Sequence, residues 1–193
     1  MIVESNFLSG DEQDKIDNQI INGQFFPWYR MPYSSSMDYP FYGHVLATRQ
    51  DKNENIISDP VMSDWYWFFK PIFERFINKH EIFKGKYTLS FEDEFCDPHV
   101  DYDEPHTVLI LYLTDSSGAT IVYDKKLQEG EPTVYLNKDG DSGLITEHEV
   151  EPEKGKMMCF DGLKFHSVRF KQDDERRVIC IFAVKGELNG MVL

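Results

Sequence analysis

The 193-residue sequence holds only three cysteines, Cys96, Cys159 and Cys180, an odd and widely spaced set with two members inside apolar runs. That argues against a disulfide framework and makes a reducing, cytoplasmic setting the expectation. No apolar run approaches membrane-spanning length. Met1 to Leu8 lacks the basic stretch of a signal peptide and leads straight into Asp11, Glu12 and Asp14. Positive charge is scarce: 20 Lys and Arg stand against 34 Asp and Glu, a formal net charge of −14. Such a surface repels phosphate backbones, so general nucleic-acid binding is not expected, nor is a membrane partner. Neither an internal repeat nor a dividing linker is visible, and residues 1–193 read as one domain of unknown oligomeric state.

What the chain has in quantity is aromatic side chains, 15% of the residues, enough to build a full core without staples. Residues 1–84 read as a helical and irregular support. Ser9-Gly10-Asp11-Glu12 has the spacing of a capping box, and Ile16, Ile20 and Ile21 follow on one face. Phe25 to Tyr29, interrupted by Pro27, should be extended. A second helix is signalled by Asp59 and Pro60, with Val61, Trp65, Phe68, Ile72 and Phe76 as its apolar stripe and Pro71 as an expected kink. Residues 85–185 change to short strand-like runs: 87–91, 107–113, 120–123, 133–136, 144–150, 156–160, 166–170 and 177–184, separated by turn clusters. Eight strands in about a hundred residues predict a mainly β jelly roll, a double-stranded β-helix of the cupin-like kind, with the N-terminal helices packed on one sheet.

The chemistry concentrates in Pro98-His99-Val100-Asp101 and the distant His166. His99 and Asp101 are two apart, so on an extended segment both point to one side and can grip one ion. A third ligand at His166 has to come from another strand. Two imidazoles and one carboxylate on one face of an octahedron leave three positions free, the arrangement of non-haem Fe(II) oxygenases. An H-x-D triplet alone is a weak signal; the order of the motifs adds weight. Arg176 and Arg177 open the last apolar run, and a guanidinium entering a strand buried on both faces needs an anionic partner, which a dicarboxylate supplies. His106, His148, His44 and His80 fit no metal spacing as well, and His106 and His148 read as surface or strand-edge imidazoles. Cys159 and Cys180 read as core. Asp93-Glu94 and Asp103-Glu104 suggest an acidic cleft mouth suited to a cationic or neutral substrate.

Together Pro98 to Asp101, Leu111-Tyr112-Leu113-Thr114, Ser117-Gly118-Ala119-Thr120, Val150 to Gly155, Phe160, His166-Ser167-Val168 and Arg176-Arg177 resemble the ordered motifs of 2-oxoglutarate and Fe(II)-dependent dioxygenases. The subgroup resembled is the prolyl 4-hydroxylase-like branch, including small phage versions. That resemblance implies Fe(II) held by His99, Asp101 and His166, with 2-oxoglutarate as cosubstrate, O2 as oxidant and ascorbate as an optional reductant. It implies a basic residue about ten positions after the distal His for the cosubstrate's far carboxylate: Arg176 or Arg177. The two face opposite sides of a strand, and Arg176 is preferred because it places Phe182 where relatives carry a large aromatic. Tyr112 matches a tyrosine that touches the cosubstrate in some relatives. The implied reaction is hydroxylation of an aliphatic C–H, prolyl, peptidyl or small-molecule, with release of succinate and CO2; the presence of Asp101 argues against halogenation. A non-catalytic or differently metallated cupin-like binding module is the alternative.

Overall fold

The computed structural model describes residues 1–31, 41–48, 63–74, 82–90, 96–135, 143–170 and 176–185. Strands β1 (Ile2–Glu4), β2 (Tyr29–Met31), β3 (Phe41–Thr48), β4 (Ile82–Ser90), β5 (His106–Tyr112), β6 (Gly118–Lys126), β7 (Thr146–Val150), β8 (Met157–Asp161), β9 (Lys164–Phe170) and β10 (Arg177–Lys185) alternate with helices α1 (Gly10–Ile16) and α2 (Trp65–Glu74). They form a seven-stranded sheet ordered β1-β8-β5-β10-β4-β3-β2 and a three-stranded sheet ordered β7-β6-β9. All named pairings are antiparallel. The fold is a jelly roll, as the strand spacing predicts. Isolated bridges from His99 to His166 and to Val134 add two further short rungs beyond β9.

The predicted capping box is formed: the Ser9 hydroxyl accepts from the Glu12 amide, and the Glu12 carboxylate accepts from the Ser9 amide at 2.8 Å. After Ile16 the helix widens into a π-type turn, Asp17–Ile21, closed by the Asn22 amide donating to the Asp17 carbonyl. Ile16 and Ile20 stay buried through this change of winding. The second helix runs unbroken across Pro71. The carbonyl that Pro71 leaves without its helical donor belongs to Trp67, whose side chain is 54% exposed, so water can serve it. Asp59, Pro60, Val61 and Phe76, like His80, lie outside the described residues. The N-terminal third is less helical than expected, because it also supplies β1, β2 and β3 to the large sheet. The expected strand at 133–136 reduces to the Val134 bridge, Leu136 being outside the described residues.

Strand alternation divides the large sheet into two faces. Leu109, Leu111, Met157, Cys159, Val178, Cys180, Phe182 and Tyr87 share a core with Leu8, Ile16, Ile20, Phe69 and Ile72, so the helices cover that face. Val108, Ile110, Tyr112, Met158, Phe160 and Ile179 point the other way and meet Val122 and Val150 of the small sheet. Cys159 and Cys180 are fully buried, and burial pushes the Cys159 thiol up to about 12, as befits inert core residues. Among the described residues no helix is long and apolar enough to cross a membrane.

Gly85 shows how closely the helix-covered face is packed. A Cβ there would meet the Phe182 ring at 2.5 Å, and Phe182 is fully enclosed. Gly85→Ala is therefore expected to destabilise the fold by about 1–3 kcal/mol through overpacking. Urea unfolding checks this, and an unchanged midpoint contradicts it.

Candidate metal and cosubstrate site

The site begins with a backbone exchange. The His99 amide donates to the His166 carbonyl at 2.9 Å and the His166 amide returns the bond to the His99 carbonyl at 3.0 Å. Two residues that exchange both bonds stand directly opposite, with side chains on the same face. Their rings accordingly lie 4.5 Å apart, centroid to centroid. On the other side of this segment the Val100 amide donates to the Thr133 carbonyl and the Tyr135 amide to the Pro98 carbonyl, both at 2.8 Å.

Asp101, two residues on, completes the group. Ligand-capable atoms of His99, Asp101 and His166 all lie within 4.8 Å of one another. Each imidazole is fixed by its own backbone: His99 Nδ1 lies 2.9 Å from the Asp97 carbonyl and His166 Nδ1 lies 3.2 Å from the Lys164 carbonyl. A carbonyl only accepts, so both Nδ1 atoms carry a proton and Nε2 is the atom of each ring that could meet a metal. His166 Nε2 is 3.7 Å from Asp101 Oδ2. The donor set, two imidazoles and a carboxylate, suits a divalent iron with open positions.

Protonation states agree. Burial, reinforced by the neighbouring His166, lowers His99 from 6.5 to about 4, against the opposing pull of Asp101 and the Asp97 carbonyl. Burial alone would raise Asp101, yet the neighbouring Lys84 ammonium holds its carboxyl well below the usual range. A metal held here would displace no proton from His99 or Asp101 at neutral pH.

The three ligands open into a cavity of about 210 Å³ between the sheets. Arg177 lines it. This corrects the preference for Arg176: Arg177 is 2% exposed, whereas Arg176 is at the surface with its carbonyl accepting from the Thr114 hydroxyl. Arg177 shares its parity with Ile179 and Ile181, which also line the cavity, while Phe182 belongs to the helix-covered core. Arg177 Nε donates to the Gly118 carbonyl at 3.1 Å and Nη2 to Thr120 Oγ1 at 2.9 Å. Tyr112 lies behind this pair: its ring sits 5.8 Å from the guanidinium and its hydroxyl 2.8 Å from Thr120 Oγ1. It supports Arg177 and is not among the cavity-lining residues. Burial pushes its phenol up to about 12, so it remains a neutral donor.

The other candidates fall elsewhere. His106 is buried at the start of β5, not at a surface edge, with Nδ1 held by the Glu104 carbonyl at 2.8 Å. His148 lies 3.9 Å from Glu147, and His44 bridges the Pro27 carbonyl and the Ser63 hydroxyl. Asp93 and Glu94 lie outside the described residues, and Asp103 is exposed. Sequence reasoning missed Lys84 and Lys86, which line the cavity along with Thr88 and Ser90. Their signal was present: polar Lys84, Lys86, Thr88 and Ser90 alternate with Phe83, Gly85, Tyr87 and Leu89.

No protein-family model matches the chain, and no curated protein does. Solved structures do. A 2OG-Fe(II) oxygenase family oxidoreductase from Burkholderia pseudomallei is 13% identical, with a TM-score of 0.59 over 95% of this chain and 84% of its own. The non-heme alpha-ketoglutarate-dependent epimerase SnoN from nogalamycin biosynthesis is 12% identical, with a TM-score of 0.64 over 96% and 76%. A Pseudomonas putida prolyl-4-hydroxylase is 15% identical, with a TM-score of 0.51 over 96% and 92%. The chain shares its fold with these proteins and has a His-Asp-His group that could hold a metal.

The low folded-state value of His99 fixes a pH dependence for the metal-free protein. The unfolded chain takes up this proton near pH 6.5 and the folded chain only near 4. Stability from the neutral imidazole is thus present above 6.5 and lost as pH falls towards 4, by up to about 3 kcal/mol. Between these limits the urea midpoint of the metal-free wild type should fall more steeply than that of His99→Gln; parallel curves contradict the assignment.

Proposed function

We propose that this chain is an Fe(II)- and 2-oxoglutarate-dependent oxygenase of the prolyl 4-hydroxylase-like branch, hydroxylating an aliphatic C–H bond with release of succinate and CO2. The observation that carries this reading is one cavity holding both the His99–Asp101–His166 group, with each Nδ1 proton committed to a backbone carbonyl, and a buried arginine. When bound, the iron and cosubstrate supply the redox chemistry that couples decarboxylation to C–H oxidation.

The protein's own contribution is placement. His99, Asp101 and His166 would hold the metal from one side, and the backbone exchange between the two histidines keeps those donors in place without reorganisation. Arg177 would bind the far carboxylate of 2-oxoglutarate; its planar fork suits a carboxylate, and Gly118 and Thr120 fix its plane. Val108, Ile110, Ile179 and Ile181 limit water around the reacting atoms. The substrate is a prolyl or other peptidyl group, or a small molecule.

The test is oxygen-dependent formation of succinate from 2-oxoglutarate after anaerobic loading with Fe(II). The wild type should turn over, and His99→Ala should lose metal and activity together. Arg177→Met should raise the KM for 2-oxoglutarate by roughly tenfold or more, the worth of a charge-assisted bond. An equal rate in wild type and His99→Ala would sink the oxygenase reading and leave a binding module.

A further inference from the structure

Strand β4 presents Lys84 and Lys86 to the cavity, on the same face as Thr88 and Ser90. Lys84 Nζ lies 3.7 Å from Asp101 Oδ1, the carboxylate of the metal group. Lys86 has no carboxylate within ion-pairing distance among the described residues; its ammonium lies 5.3 Å from the centre of the Phe41 ring. Burial and the adjacent Lys84 lower its pKa only to about 8, so at neutral pH it is mostly cationic.

Among the described residues the cavity wall therefore carries three cations, Lys84, Lys86 and Arg177, and one carboxylate, Asp101. On the oxygenase reading, the charges of a divalent metal and a dicarboxylate cosubstrate cancel, and Lys86 keeps a positive charge that no carboxylate of the described residues meets. Unpaired charge inside a fold is costly, and in a chain of net charge −14 a concentration of cations in one interior cavity is not a consequence of composition. Arg177 belongs to the first residue pair of β4 and β10, opposite Ser90, whereas Lys86 stands opposite Ile181 and Lys84 opposite Ala183. Four residues of strand, about 13 Å, thus separate the backbone of Lys86 from the level of Arg177. One dicarboxylate anchored at Arg177 and the metal leaves the Lys84 end of β4 for another ligand.

We propose that Lys84 and Lys86 form an anion-binding subsite for the primary substrate, which enters the cavity carrying a carboxylate or phosphate group. This rests on the oxygenase reading and narrows its substrate class. A cavity of about 210 Å³ that also houses a cosubstrate admits a small acid or the end of one acidic side chain. Lys84, already facing Asp101, would share its charge between the metal's carboxylate and the incoming anion, while Lys86 supplies the undivided contact.

Calorimetric titration of protein saturated with Ni(II) and 2-oxoglutarate tests this, with N-acetyl-L-aspartate, O-phospho-L-serine and uncharged N-acetyl-L-alaninamide as probes. At least one anion should bind the wild type, the amide should not, and the tighter anion identifies the preferred group. Lys86→Met should weaken that anion on the order of tenfold, with Lys86→Arg restoring most of it, and 2-oxoglutarate affinity unchanged throughout. The proposal is overturned if neither anion binds the wild type, or if Lys86→Met binds it equally well. Loss of 2-oxoglutarate affinity in Lys86→Met would assign the lysine to the cosubstrate and overturn the subsite while leaving the oxygenase reading intact. Failure of the wild type to bind 2-oxoglutarate with metal would remove that reading, and the subsite with it.

Discussion

The reciprocal pair of backbone hydrogen bonds between His99 and His166 is the constraint on which the rest of the site depends. It makes two residues 67 positions apart into cross-strand neighbours, so one register sets the spacing of both imidazoles. A slip of one residue would turn either ring out of the cavity. The same segment is held from its other side by residues 133–135, so it cannot slip without breaking pairs on both flanks. The Asp97 and Lys164 carbonyls then choose the tautomer, each from two residues before the histidine that it fixes. Position and protonation state thus come from the backbone, and the cavity wall is left to vary.

That wall reverses the character of the molecular surface. The chain is strongly acidic, yet among the described residues the space between its sheets is lined by two lysines and an arginine against one carboxylate. Desolvation makes each of these charges matter more inside than outside. Arg177 meets the demand with a network of its own, Gly118, Thr120 and Tyr112, in which the phenol stays neutral because burial keeps it so. The expected preference for a cationic or neutral substrate came from loop carboxylates, of which Asp93 and Glu94 lie outside the described residues; three of the four charged side chains described as lining the cavity are basic.

Much of the fold was legible because it is written in local pattern. The Ser9 and Glu12 spacing marked a helix start that the structure forms, and the runs between turn clusters marked seven of the strands. That His99, Asp101 and His166 come together was legible because three residue types in one order carry a specific chemistry. Two things were not. The choice between Arg176 and Arg177 depends on strand parity, and β10 is apolar on both faces, so its pattern does not say which face meets the cavity. Strands β1, β2 and β3 exist through pairing with distant partners, which leaves little trace in short segments.

Lys84 and Lys86 show why alternation has two physical meanings. A polar residue at every second position ordinarily signals a face turned to water, and β4 fits that signature. Yet β4 is an interior strand, paired with β10 and β3, and its polar side looks into the space beside the metal group. Both environments satisfy the same rule, since an ammonium needs water or an anion and the sequence does not say which. The solved structures of similar fold include an epimerase and a prolyl-4-hydroxylase, so the fold alone does not choose a reaction or a substrate. That choice falls to side chains held on rigid strands around the ligands. On β4 they can change without disturbing the register that positions His99 against His166, because the lysines pair through β10 and the histidines through β9.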